Sequence, residues 1–307
     1  VDSTLTACLL HHFLPKEEPI DLINVAFYRT GAEEEALPYR ERRPGTPDRL
    51  TGIESACQLA KRFPTRIWRL VCVDHTQDEL RDAMGHLRKL LHPRESVIDL
   101  SLGAAFWFMA GAVGTAVEFL QPPHPPPHPT IPIPDDLDAQ QEDILRQVQH
   151  MATREVGESE VVGGEGDEVE EVGGVEGEGE IEKEERQKVK VYAHKTSARA
   201  LFSGSGADEF FGGYSRYVGQ FFLDKTGGWE RLKIECDLDR ERIWTRNLGR
   251  DDRCIADQAR ELRLPFLDVR CISLAKSIPF PMLIDPHAPK GQGEKRPIRG
   301  AAAEIGL

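Results

Sequence analysis

The sequence predicts an α/β fold built on a parallel sheet, and three observations lead there. Apolar residues at helical spacing alternate with short, continuously apolar runs, which gives the order helix, strand, helix, strand. A later strand-like run leads straight into a glycine-rich turn and an acidic helix start. The 307 residues are enough to bury a sheet with helices on both faces in one or two domains.

Thr4 to Leu14 carries Leu5, Leu9, Leu10 and Phe13 at helical spacing and stops before Pro15, as a helix should. Asp21 to Tyr28 and Ile67 to Val73 are apolar runs typical of buried strands, with a helix expected between them over Thr51 to Arg62. Such βαβ units imply right-handed crossovers. Two further helices are expected over Asp78 to Leu91 and Val97 to Val113, the second burying Leu100, Ala104, Trp107 and Phe108.

From Gln121 the pattern changes. The Pro122 to Pro127 run cannot sit inside a helix or an interior strand, and the tract from Glu155 to Glu185 has too little apolar area to offset the entropy of ordering. Residues 121–187 are therefore expected to form a largely disordered insertion, with a solvated helix over Asp138 to Arg154. The insertion divides an ordered region into 1–120 and 188–307. A compact domain tolerates it because closure entropy rises slowly with loop length. Order resumes at Val189 to Tyr192 and at Ala198 to Phe202.

The formal net charge is −13, but Glu155 to Arg186 holds fourteen acidic and two basic residues, which leaves the remainder nearly neutral. No general basic surface argues for nucleic acid. The six cysteines form no C-x-x-C pair and no zinc-like cluster with histidine, so they read as reduced, mostly buried thiols. The longest apolar stretch, around Leu102 to Phe108, is too short to cross a bilayer, and no signal peptide opens the chain. Neither a membrane nor a nucleic acid is an expected partner, and a cytoplasmic location is the default. The chain begins at Val1 and stops within a helical-looking run, so a fragment is expected.

Chemistry concentrates at Ser203-Gly204-Ser205-Gly206-Ala207-Asp208-Glu209-Phe210-Phe211-Gly212-Gly213-Tyr214. Glycines let the backbone approach a ligand, and free amides at a strand-to-helix junction favour anions. Asp208 and Glu209 could hold a hard divalent cation shared with a nucleotide's phosphates. On pattern alone, a tight turn followed by a helix with a favourable acidic start is an equal alternative.

This segment resembles the S-G-E-G-(S/A)-D-E-x-x-G-G-Y signature of asparagine synthetases, and Arg263 to Asp268 is similar to their A-R-x-P-F-L-D segment. Val1-Asp2-Ser3 resembles the end of the family's S-G-G-x-D-S pyrophosphate loop, and Gly293-Glu294-Lys295 with Arg299 resembles its lysine-bearing helix start. Arg246 to Arg253 and Thr46 to Gly52 resemble, more narrowly, the asparagine synthetase domain-containing proteins of eukaryotes. The resemblance covers most of the chain outside 121–187.

It implies a parallel-sheet ATP pyrophosphatase domain, similar to adenine nucleotide alpha hydrolases, with helices on both faces and a helical carboxyl-terminal part. The implied reaction is ATP-dependent adenylation of aspartate followed by amidation with ammonia, which a separate amino-terminal glutaminase domain would draw from glutamine. By the same resemblance, Asp2 and Asp208 would bind Mg²⁺ and Ser3 would contact phosphate. Val25 and Ala26 would lie near the adenine of ATP, and Ser203 and Gly204 would line the nucleotide site. Lys295 would face the pyrophosphate, with Arg299 a weaker candidate. A homodimer is one expected assembly.

The main departure is Ser205, which stands where asparagine-forming members carry glutamate. A hydroxyl cannot replace a carboxylate base. General acid/base help is worth about 10²–10⁴-fold, so adenylation could persist while amide formation suffers. The rival expectation is a catalytically degenerate nucleotide-binding relative with a regulatory or protein-binding role. Asp2, Asp208 and Lys295 favour the enzyme, and they should converge.

Histidines 11 and 12 are adjacent on a helix and so should face different directions, one exposed and one half-buried. Trp68, Trp107, Trp229 and Trp244 are expected in the core or an interface. Arg250 to Arg253 should form a charged turn with local ion pairs.

Overall fold

The computed structural model describes residues 1–28, 47–94, 96–120, 144, 146–148, 189–223, 228–289 and 291–307. Apart from 144 and 146–148, the expected insertion lies outside the described residues. The chain runs α1 (Asp2–Phe13), β1 (Ile20–Tyr28), α2 (Pro47–Arg62), β2 (Trp68–Thr76), α3 (Gln77–Leu91), α4 (Val97–Gly111) and β3 (Val113–Phe119). It continues through β4 (Val189–Lys195), β5 (Ala200–Phe202), α5 (Ala207–Phe211), α6 (Ser215–Phe222) and α7 (Gly228–Ile243). A π-helical turn (Trp244–Leu248), α8 (Gly249–Asp257), β6 (Glu261–Arg263) and a 3₁₀ turn (Pro265–Leu267) follow. Three helices, α9 (Val269–Ser277), α10 (Phe280–Leu283) and α11 (Arg296–Glu304), complete it.

The α/β class holds, but the expected parallel sheet is replaced by a mixed one of order β1-β2-β3-β4. One crossover helix, α2, returns the chain to the starting end of the sheet, so β2 runs parallel to β1, from Ile20 opposite Trp68 to Tyr28 opposite Thr76. Two helices, α3 and α4, intervene before β3. The chain therefore enters from the opposite end, and β3 lies antiparallel to β2. β4 in turn pairs antiparallel with β3. The sequence reading extended α4 to Val113 and missed β3. The helix in fact stops at Gly111, and Ala112, in the left-handed region at φ 48°, turns the chain into the strand. Gly114 permits the approach, since a Cβ there would lie 2.0 Å from the Cys72 carbonyl oxygen. A separate two-stranded parallel pair joins β5 to β6.

Helices cover both faces of the larger sheet. Cys8 of α1 and Ile53 and Leu59 of α2 pack with Ile20, Leu70, Cys72 and Val117 on one side. Leu87, Ala104 and Phe108 of α3 and α4 pack with Val25 and Phe27 on the other. The split follows the two-residue alternation of a strand. A second core joins Leu5, Phe210, Phe211, Tyr217, Leu232, Phe266, Leu283 and Ile298, tying α1 to the carboxyl-terminal helices. Asp21, Arg69, Glu118 and Lys190 are successive partners across all four strands, a row of alternating charge. Within it, Arg69 Nε lies 2.7 Å from Asp21 Oδ1. No helix among the described residues is long and apolar enough to cross a membrane.

All six cysteines are free, and five are buried. Trp68 is fully buried, whereas Trp244 is 68% exposed on the π turn, against expectation. Arg250 to Arg253 lie on α8 rather than in a turn, and Arg250 and Asp251 form a buried pair at 2.7 Å.

His11 is buried and His12 exposed. Cations flank both nitrogens of the His11 ring, Arg66 Nε at 3.2 Å from Nδ1 and Lys16 Nζ at 3.0 Å from Nε2. Burial, aided by Lys16, Arg66 and His12, lowers its pKa from 6.5 to about 4. Between those values the unfolded chain binds a proton that the folded chain refuses, so His11 lowers stability as pH falls through 6.5 toward 4. Urea midpoints should therefore rise between pH 4.5 and 7, and His11→Gln should flatten that rise.

Candidate functional site

β5 leads through Ser203 to Gly206 into the short helix α5, where the backbone needs a left-handed residue. Gly206 supplies it at φ 96°. Gly204 lets this loop touch the start of α1: a Cβ there would meet Asp2 Cβ at 2.9 Å and Ser3 N at 3.4 Å. The loop is closed by Ala207 N donating to the Gly204 carbonyl at 3.2 Å and Ser203 N donating to the Arg263 carbonyl at 3.0 Å.

Lys295 enters from the third direction. It precedes α11 in the left-handed conformation, φ 53°, which a non-glycine residue adopts only when its surroundings hold it there. Its ammonium donates to Asp2 Oδ2 and lies 2.8 Å from Asp208 Oδ1. The Lys295 side chain is 12% exposed. Burial alone would lower its pKa, but hydrogen bonds and charge from Asp2 and Asp208 outweigh burial and hold it above the ordinary lysine value. Gly213 makes room, because a Cβ there would fall 1.9 Å from Asp208 Oδ1 and 2.1 Å from Lys295 Cε.

The structure thus gathers Asp2, Asp208 and Lys295, with Ser3 and Gly204 alongside. Ser203 and Ser205 sit in the same loop with their hydroxyls 2.8 Å apart. Val25 and Ala26 are not part of this cluster. They lie on β1, paired with Val73 and Asp74, and Val25 packs against the α3–α4 side of the sheet. Arg299 is also elsewhere engaged, its Nε donating to the Glu294 carbonyl at 2.9 Å.

Glu209 departs from the pairing with Asp208 that the sequence suggested. Successive helical residues face different ways, and Glu209 turns inward, 4% exposed. It accepts from Tyr214 Oη at 2.8 Å and from Asn247 Nδ2 at 3.0 Å, and burial raises its pKa. Arg240 holds the same turn through the carbonyls of Glu209 and Phe210. Asn247 and Gly213 are the contributors that sequence reasoning passed over. Both stood in segments marked by resemblance, and only their packing reveals what they do.

The donor set suits a hard divalent cation. Asp2 Oδ1 is buried with no hydrogen-bond partner, and two carboxylates flank one point of positive charge. No group of three or more His, Cys, Asp or Glu side chains suited to a metal occurs among the described residues.

The mouse asparagine synthetase domain-containing protein 1 is 29% identical over 332 aligned residues, covering 100% of this chain and 42% of its own length. Along its whole length the chain is similar to asparagine synthetase domain-containing proteins. A Drosophila melanogaster member is 28% identical, again across 100% of the chain and 40% of its own length. A Methanocaldococcus jannaschii protein provisionally named as a glutamine-hydrolyzing asparagine synthetase is 40% identical over 88 residues, which are 29% of this chain and 16% of that protein. The chain spans about 40% of the length of the domain-containing relatives that it matches end to end. No family model matches the chain.

Proposed function

We propose that this chain is the ATP-using part of an amide-forming ligase of the asparagine synthetase type, on an ATP pyrophosphatase fold, with aspartate as the carboxylate substrate. The observation that carries this reading is the ion-pair cluster of Lys295 with Asp2 and Asp208, three residues drawn from both ends and the later middle of the chain. A lysine bridging two acids beside a glycine-rich loop has little to offer a fold that could not be had from apolar packing.

In this reading a carboxylate oxygen of aspartate attacks the α-phosphorus of ATP. The bond from that phosphorus to the bridging oxygen breaks, and pyrophosphate leaves with the electron pair. Asp2 and Asp208 would hold Mg²⁺, which when bound would neutralise charge on the departing group. Lys295 meets the same charge from the protein side. The Ser3 amide and the Gly204 backbone approach the phosphates, and Ser203 lines the nucleotide. Val25 and Ala26 flank the adenine from β1. Ammonia, drawn from glutamine in the full-length protein, then attacks the acyl carbon and AMP departs. A cytoplasmic setting suits this chemistry.

Ser205 bears on the second half of the reaction. Its hydroxyl is engaged with that of Ser203 and offers no carboxylate to accept a proton from ammonia. Adenylation is expected to outrun amidation. In the full-length protein, aspartate-dependent exchange of labelled pyrophosphate into ATP should be measurable beside asparagine formation from ammonia, with the second slower. Absence of exchange while nucleotide still binds would replace the ligase by a nucleotide-binding relative without catalysis.

A further inference from the structure

Lys295 already occupies the position between the two carboxylates that a divalent cation would require. Its ammonium donates to Asp2 Oδ2 and sits 2.8 Å from Asp208 Oδ1, at 12% exposure. Gly213, with no side chain, leaves the lysine stem packed beside Asp208. The left-handed backbone at Lys295 aims this side chain before α11 begins. The carboxylates are therefore neutralised from within, while the buried Asp2 Oδ1 has no hydrogen-bond partner.

We propose that Lys295 is an internal counter-ion that gates the metal: a divalent cation gains Asp2 and Asp208 only when an anionic phosphate chain draws the ammonium off them. The inference rests on the reading of this site as a magnesium–nucleotide site. A cation and an ammonium compete for the same oxygens, so the cation alone binds weakly. A polyphosphate supplies the lysine with another anion and thereby couples the two binding events. By linkage, metal and polyphosphate each raise the other's affinity by the same factor. Free divalent cation is thus kept off the site until nucleotide or pyrophosphate is present.

The test measures Mn²⁺ binding to the full-length protein by calorimetry and electron paramagnetic resonance, with and without inorganic pyrophosphate. The same is done for Lys295→Met, and for Lys295→Arg as the variant that keeps the charge. Without pyrophosphate, Lys295→Met should bind Mn²⁺ about tenfold or more tighter than the native protein, since removing a bound competing cation frees both carboxylates. Lys295→Arg should stay within about threefold of native, and adding Asp208→Asn to Lys295→Met should abolish the gain. Mn²⁺ should also raise the melting temperature of Lys295→Met more than that of the native protein. Equal Mn²⁺ affinity of the native and Lys295→Met proteins without pyrophosphate, whether tight or undetectable, overturns the gate. Pyrophosphate that fails to raise native Mn²⁺ affinity overturns the coupling. Failure of the ligase reading shows separately, as loss of ATP binding in the native protein while the Lys295→Met gain on Mn²⁺ alone persists.

Discussion

Replacing Lys295 with methionine is expected to lower aspartate-dependent pyrophosphate exchange by about 10²–10³-fold, the usual cost of deleting one charge-stabilising donor. Methionine keeps the length of the stem and is no worse than lysine at the φ of 53° found there, so the backbone has no new reason to rearrange. The loss should therefore appear in kcat more than in the melting temperature. A fall in kcat with little change in KM for ATP would mean that Lys295 acts on charge that develops as pyrophosphate leaves. A rise in KM alone would make it a uniform phosphate contact, and unchanged exchange would remove it from the reaction. Asp208→Asn should lower exchange similarly, because it removes both the proposed cation ligand and the partner lying 2.8 Å from the ammonium.

Gly213→Ala is expected to damage the site nearly as much while leaving the fold in place. The added methyl would lie 1.9 Å from Asp208 Oδ1 and 2.1 Å from Lys295 Cε, so both side chains must swing away and the pair must open. These are the far ends of flexible side chains, and stability should change by no more than about 1 kcal/mol. Exchange should fall by about 10²-fold, because the charged groups lose the alignment on which their effect depends. Gly212→Ala is the contrasting case. Gly212 has φ 72°, and a Cβ there would meet Ile284 at 2.4 Å, within the second core. Left-handed strain of about 1–2 kcal/mol and overpacking of about 1–3 kcal/mol add there, so this variant should lose stability. Urea denaturation and exchange, measured on both variants, separate the two effects. If Gly213→Ala keeps full exchange, the ion-pair cluster is not what the reaction uses.

Much of this was legible from local pattern. β1, β2 and the helices of the first half announce themselves by their period of apolar residues, and Pro15 marks where α1 must have ended. Gly204 and Gly206 announced a strand-to-helix loop, the first because a Cβ would crowd Asp2 and the second because its φ of 96° favours glycine. The acids and the lysine were marked by their resemblance to motifs. All of these features depend on residues close together in the chain.

Other features depended on what the chain meets after it has folded back on itself. The direction of β3 follows from two helices, rather than one, separating it from β2, and its weakly apolar sequence hid it behind the end of α4. The carboxylate of Glu209 belongs to Tyr214 and Asn247 because the short α5 turns that side into the core, while its neighbour Asp208 faces Lys295. Trp244 is exposed on the π turn from which Asn247 reaches the buried Glu209. The sequence by itself determined β1, β2, the helices of the first half and which residues carry charge beside the loop, since those are set by backbone and turn chemistry. Only tertiary structure decided which acid meets the lysine, because a contact between residues 2, 208 and 295 is fixed by the packing of α1, α5 and α11 and by nothing local to any of them.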